Sequence, residues 1–179
     1  MEQSDVVRCL HDLYQIHMIH QNFKSAFAVA LQQLNIVEKS VHSLSSVVSA
    51  YTCIIEVSTA LGKKEFAATY QNIALDRIND SIDDLTPDDV LSISCLHSTM
   101  MQAYLNKGRL VEACDAGQNV IRITQRIHAP EVVLHVLPSL AEALLLRMEN
   151  VGCVRVLKNI QLIAEELRDK IGLTWYYVG

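Results

Sequence analysis

The sequence is short of chain breakers. Three prolines and six glycines in 179 residues are too few for an all-β domain with many tight turns. Basic charge is also short: 15 Lys and Arg stand against 20 Asp and Glu, a net −5. That excludes a protein made mainly to coat nucleic acid, which needs a positive surface. Long apolar runs are missing. Residues 132–146 come nearest, but His135, Pro138 and Glu142 interrupt them, and a bilayer span needs roughly 18–20 apolar residues. Met1-Glu2-Gln3-Ser4-Asp5 has neither the basic start nor the apolar stretch of a signal peptide. The five cysteines, Cys9, Cys53, Cys95, Cys114 and Cys153, are odd in number and widely spread, unlike a disulfide framework. They read as reduced, largely buried thiols in a cytosolic or nuclear protein. No GxSxG, HExxH, P-loop or GxGxxG string occurs, so the familiar signatures of hydrolase, metalloprotease and nucleotide sites are absent.

What remains is a helical composition. Half the residues are hydrophobic and 20% are charged, enough for a substantial core and against disorder. Caps and breakers divide the chain into eight helices in four hairpins, over about 4–39, 44–78, 87–127 and 130–170, with an aromatic tail at 171–179. Ser4-Asp5 can cap the first helix. Gly62 is placed to end the third in a left-handed conformation. Thr86-Pro87-Asp88-Asp89 is a strong helix start: a hydroxyl cap, proline at the first position and acids at the positive dipole end. The serine-rich stretch 40–46 reads as a connector, and Pro138 should kink or restart the seventh helix.

The hairpin turns repeat. Gln21-Asn22-Phe23 leads to Ala26, Gly62-Lys63-Lys64 to Ala67 and Gly108-Arg109-Leu110 to Ala113, and Glu149-Asn150 to Val154 is a degenerate fourth copy. The small-residue column Ala26, Ala67, Ala113, Val154 marks where the second helix of each hairpin crosses the first closely. In these residues, and in the partial matches Met101 and Tyr104 upstream, the chain resembles the tetratricopeptide (TPR) superfamily over nearly its whole length. The period here exceeds that family's 34 residues. The resemblance implies a single all-α domain over residues 1–179, a TPR-like α-solenoid of about four antiparallel hairpins wound as a right-handed superhelix. Helical repeats of this kind can also read RNA, but residues 1–90 carry 6 basic and 12 acidic side chains. No nucleic acid partner is expected, and a basic partner suits that half better.

His17 and His20 could share a metal, yet no third ligand of fixed spacing follows and zinc needs three or four. Cys9 with His11, and Cys95 with His97, point about 200° apart on a helix and cannot act together. The acids of residues 76–89 lack the glycine and terminal glutamate of a calcium loop. No catalytic residue, metal or cofactor is therefore assigned. The resemblance places the inner face of the array on the first helix of each hairpin: Arg8, His11 and Gln15; Ser49, Thr52 and Glu56; Ser98, Gln102 and Asn106; Ser139 and Arg147. Such residues on rigid helices suit a groove that hydrogen-bonds an extended peptide or a partner helix. At the positions where chaperone-binding relatives hold a carboxylate clamp, this chain has His11, Gln15, Cys53, Cys95 and Thr99, which cannot form one.

The expectation is a non-catalytic protein–protein interaction scaffold or subunit-assembly module in the cytoplasm or nucleus. The alternative is a regulatory TPR-like segment of a larger signalling enzyme or transcriptional regulator. The apolar surplus of the eighth helix and the tail Trp175-Tyr176-Tyr177 further predict that the array continues, or self-associates through its C-terminal end.

Overall fold

The structure is a computed structural model that describes residues 3–39, 43–81, 85–124 and 130–167. All its regular elements are helices: α1 (Gln3–Ile19), α2 (Phe23–Lys39), α3 (Leu44–Ala60), α4 (Lys64–Asn79), α5 (Pro87–Leu105), α6 (Leu110–Thr124), α7 (Pro130–Leu146) and α8 (Asn150–Leu167). Among the described residues there is no strand. The chain forms two compact units, Met1–Leu96 and His97–Gly179, so α5 contributes its first half to one and its second half to the other.

Four hairpin turns share one hydrogen-bond pattern. A backbone N–H donates across the end of the first helix in Asn22 to His17, Lys63 to Ser58, Arg109 to Tyr104 and Glu149 to Leu144, at 2.8–2.9 Å. The preceding residue is left-handed in each: Gln21 at φ 55, Gly62 at φ 72, Gly108 at φ 69 and Met148 at φ 63. This is the Schellman closure of a helix C-terminus, which satisfies carbonyls that the helix leaves orphaned. Glycine adopts φ > 0 without penalty, as expected at Gly62 and Gly108; Gln21 and Met148 do so with a Cβ in the way.

The fourth turn corrects the small-residue column. Its left-handed residue is Met148, so the equivalent of Ala26, Ala67 and Ala113 is Cys153, whose N–H donates to Glu149 O just as Ala113 N–H donates to Arg109 O. Cys153 is buried at 7% exposure, whereas Val154 is 51% exposed. Sequence spacing misplaces this register by one because nothing but backbone conformation distinguishes Met148 from Glu149 as the turn residue.

Pro138 does not restart the helix. It lies inside α7, which runs unbroken from Pro130 to Leu146. Proline forfeits one ladder hydrogen bond, but Leu137, Leu140, Ala141 and Leu144 around it are all buried, and tertiary burial outweighs one lost bond. The connector at 40–46 shrinks as well: Ser43 is the N-cap of α3, its side chain accepting from Ser46 N–H. The predicted ends of the sixth and eighth helices beyond Thr124 and Leu167, and the tail at 171–179, lie outside the described residues.

In the first unit α1, α2, α3 and α4 pack in sequence, and α1 also touches α3. Tyr14, Tyr51, Ile54 and Ile55 are fully buried there. An aromatic row ties α2 to α4: Phe27 lies 5.6 Å from Phe66, and Phe66 4.8 Å from Tyr70, ring centre to ring centre. Lys63 Nζ sits 4.0 Å over the Phe27 ring, a cation–π contact. In the second unit Met101, Ala113, Val120, Leu137, Leu140 and Ile160 belong to one apolar core. A Cβ at Gly117 would lie 2.9 Å from Met101 Sδ and 3.2 Å from Leu140 Cδ1, so glycine permits the close approach of these side chains to α6.

Asp89 organises the first unit's end. Its Oδ2 accepts from Thr86 N–H at 2.9 Å and from the Thr86 hydroxyl at 2.6 Å, while Thr86 Oγ1 accepts from Asp89 N–H at 3.2 Å. That is a reciprocal capping box, an Asp taking the usual Glu position. Its Oδ1 also accepts from Ser45 N–H at 2.7 Å, in the first turn of α3. One buried carboxylate thus closes the N-termini of two helices.

Candidate functional site

A cleft of about 380 Å³ opens on the first unit. Its walls come from three first-of-hairpin helices: Arg8 and His11 on α1, Ser45, Ser46 and Ser49 on α3, and Asp88, Leu91 and Ser92 on the start of α5. Val7 and, from α2, Gln33 complete the lining. Local sequence explains this polarity. Along α1, Val7 and Tyr14 turn into the core while Arg8 is exposed and His11 half-buried, as the helical period requires. On α3 the start is serine-rich because its N-cap and first turn favour hydroxyls. The Ser43 hydroxyl lies 2.9 Å from those of both Ser45 and Ser46.

Beside the cleft a set of contacts orients His11. Gln15 Nε2 lies 3.5 Å from His11 Nε2, and His11 Nδ1 lies 3.5 Å from Cys53 Sγ. An amide nitrogen can only donate, so in the contact with Gln15 it is His11 Nε2 that accepts. Burial first, then the charge of Glu56, pushes the Cys53 thiol up to about 12. A cysteine–histidine pair needs a thiolate to act as a nucleophile, and this thiol stays protonated. Tyr14, fully buried, donates from its hydroxyl to Glu56 Oε2 at 2.8 Å. Burial, followed by Glu56 and Cys53, raises its pKa far above the usual phenol range.

The residues expected on the inner face divide between the units. Arg8, His11 and Ser49 line the cleft. Gln15 and Glu56 sit beside it, holding His11 and Tyr14. Thr52 bonds back to Val48 O within its own helix. In the second unit the Gln102 amide donates to the Ser139 hydroxyl, which places α5 and α7 side by side at these first-helix positions. Ser98 is half-buried on α5, but Asn106 is exposed in the turn just past the end of α5 at Leu105. Arg147 likewise follows α7, which ends at Leu146, so neither stands on a first helix as expected. Arg147 pairs with Glu149 at 2.8 Å, and a hydrogen bond to Cys114 and the charge of Glu149 raise its pKa. Several polar cleft residues escaped sequence reasoning. Gln33 lies on a second helix, Asp88 and Ser92 belong to the early turns of α5, and Ser45 and Ser46 fall in the stretch read as a connector.

Among the described residues no cluster of three or more His, Cys, Asp or Glu could hold a metal ion, and all five cysteines are free. Cys9 and Cys95 are exposed rather than buried, since each falls on the outward side of its helix. No helix among these residues is long and apolar enough to cross a membrane.

No protein-family profile and no curated protein matches the sequence. Solved structures do match. A kinesin light chain-like protein of Podosopora anserina, built from nearly identical TPR-like repeats, aligns with a TM-score of 0.67 at 18% identity, over 95% of this chain and 79% of that one. A point variant of that protein gives a TM-score of 0.66 at the same identity. BtubC of P. vanneervenii reaches a TM-score of 0.77 at 12% identity, over 94% of this chain and 66% of that one. With the shared turn geometry, these likenesses establish the fold as a TPR-like helical repeat.

Proposed function

We propose that the chain is a non-catalytic protein–protein interaction scaffold or subunit-assembly module of the cytoplasm or nucleus, binding an extended peptide or partner helix along its first-helix face. The observation that supports this reading is the cleft, where α1, α3 and α5 converge polar side chains on one concave site. Convergent polar groups on rigid helices suit the main-chain and side-chain pairing of a bound peptide. Gln102 on α5 and Asn106, one residue past the end of that helix, carry amides able to pair with a main chain. The test is site-specific photo-cross-linking. A photo-reactive residue at Ser49, in the cleft, is expected to capture a polypeptide from native extract, whereas one at exposed Ala28 on α2 is not. Replacing Gln102 and Asn106 together by alanine is expected to weaken capture with little change in melting temperature. Capture from Ala28 alone would move the interaction off the first-helix face.

A further inference from the structure

The cleft on the first unit is dipolar, and one of its lining residues carries an unpaired hydrogen-bonding group. Arg8 and Asp88 both line it, both are exposed, and neither forms an ion pair among the described residues. They enter from different helices, α1 and α5, so the site presents one positive and one negative group to the same ligand. Gln33 lines the cleft at 1% exposure, and its Oε1 is buried without a hydrogen-bond partner among the described residues. A buried acceptor without a donor is costly, and an apolar residue of similar size would fill this position without that cost. The carboxamide torsion is broad and two-fold, so the group can turn its oxygen toward an incoming N–H.

From this we infer that the cleft binds a short zwitterionic stretch of extended peptide, with an acidic side chain on Arg8, a basic side chain on Asp88 and an N–H donated to Gln33 Oε1. This rests on the peptide-binding reading above and deepens it by naming the chemistry of the ligand. Ser49 and Ser92 offer hydroxyls that both donate and accept, matching a main chain that does the same. Leu91, exposed at 37%, provides an apolar rest for one intervening side chain. The volume is at the low end for ligand sites, sized for a few residues rather than a whole helix. A purely acidic ligand is repelled by Asp88 and a purely basic one by Arg8. A nucleic acid strand is disfavoured both by Asp88 and by the 12 acidic against 6 basic side chains of residues 1–90.

The test uses the intact chain and fluorescein-labelled decapeptide pools, read by fluorescence anisotropy. One pool carries Glu near the N-terminus and Lys near the C-terminus, a second reverses that order, and the others are acidic only, basic only or uncharged. One zwitterionic order is expected to bind at least tenfold more tightly than every other pool. Arg8→Glu and Asp88→Lys, both at exposed positions, are each expected to abolish that preference. The exchange Arg8→Asp with Asp88→Arg is expected to transfer the preference to the reversed order. Gln33→Met is expected to weaken binding about tenfold while the melting temperature holds or rises, which separates a lost ligand contact from lost folding. If peptides bind but show no charge-order preference, or ignore both charge reversals, the dipolar cleft is wrong and the general peptide-binding reading survives. If no pool binds, both fail.

Discussion

Removing the Asp89 carboxylate tests the arrangement that holds the α3 and α5 N-termini together. Asp89→Ala deletes one acceptor serving three donors: Ser45 N–H at 2.7 Å, Thr86 N–H at 2.9 Å and the Thr86 hydroxyl at 2.6 Å. A hydrogen bond to a charged group contributes about 1.5–3 kcal/mol, and loss of an N-terminal cap costs about 0.5–2 kcal/mol. These contributions share one side chain and do not add. Thr86 is exposed and can turn to water, while Ser45 is half-buried and cannot do so fully. The net expectation is a loss of about 2–4 kcal/mol. Burial alone would raise the Asp89 pKa, but hydrogen bonds from Thr86 and Ser45 outweigh it and hold it below the usual 3.8. A depressed folded pKa means that the unfolded state takes up its proton first as the pH falls. The contribution is therefore fully present above the unfolded carboxylate value and disappears as pH drops through the folded one. Urea unfolding at pH 7 and pH 3, with hydrogen exchange at Ser45 and Thr86, reads both effects. The variant is expected to be destabilised at pH 7, less so at pH 3, and to exchange faster at both amides. A loss below about 0.5 kcal/mol, the scatter of ordinary surface substitutions, or an equal loss at both pH values would mean that Asp89 does not hold the two helix starts together.

Three further outcomes follow from the turns and the core. Met148→Gly removes a Cβ from a φ of 63° and should raise stability by about 1 kcal/mol, whereas Gly62→Ala and Gly108→Ala should each lower it by a similar amount; both glycines have open space around the missing Cβ, so conformation alone sets the effect in thermal melts. In the corrected register, Val154→Lys should change the melting temperature little, while Cys153→Phe should cost about 1–3 kcal/mol by overpacking; equal effects at the two sites would return Val154 to the small-residue column. His97 is buried with Nδ1 unpartnered among the described residues, and burial, helped by Arg122, pulls its pKa down to about 4. Stability should therefore fall by up to about 3 kcal/mol as the pH drops from about 6.5 to 4, because only the unfolded chain takes up the proton there, and His97→Leu should flatten that part of the pH profile of urea midpoints.

The helices and their turns were legible in the sequence because the physics that sets them is local. Gly62 and Gly108 are left-handed where a glycine after an apolar stretch predicts it, and Thr86-Pro87-Asp88-Asp89 begins a helix because its groups complement a helix N-terminus within four residues. The small column Ala26, Ala67, Ala113 could be found by spacing alone, since close crossing demands a small side chain. What required tertiary structure was everything in which one segment answers another. Asp89 looks like an ordinary dipole acid until the start of α3 is brought against it. Met148 becomes a turn residue and Cys153 a core residue only when the packing of α7 on α8 decides which backbone closes the hairpin. Pro138 stays helical because its neighbours are buried, and burial is a property of the folded unit. The cleft is of the same kind: Arg8, Ser49 and Asp88 lie far apart in sequence and acquire a joint meaning only when three helices converge. A single sequence encodes local propensity and period directly, whereas the pairing of distant side chains exists only after the chain has folded.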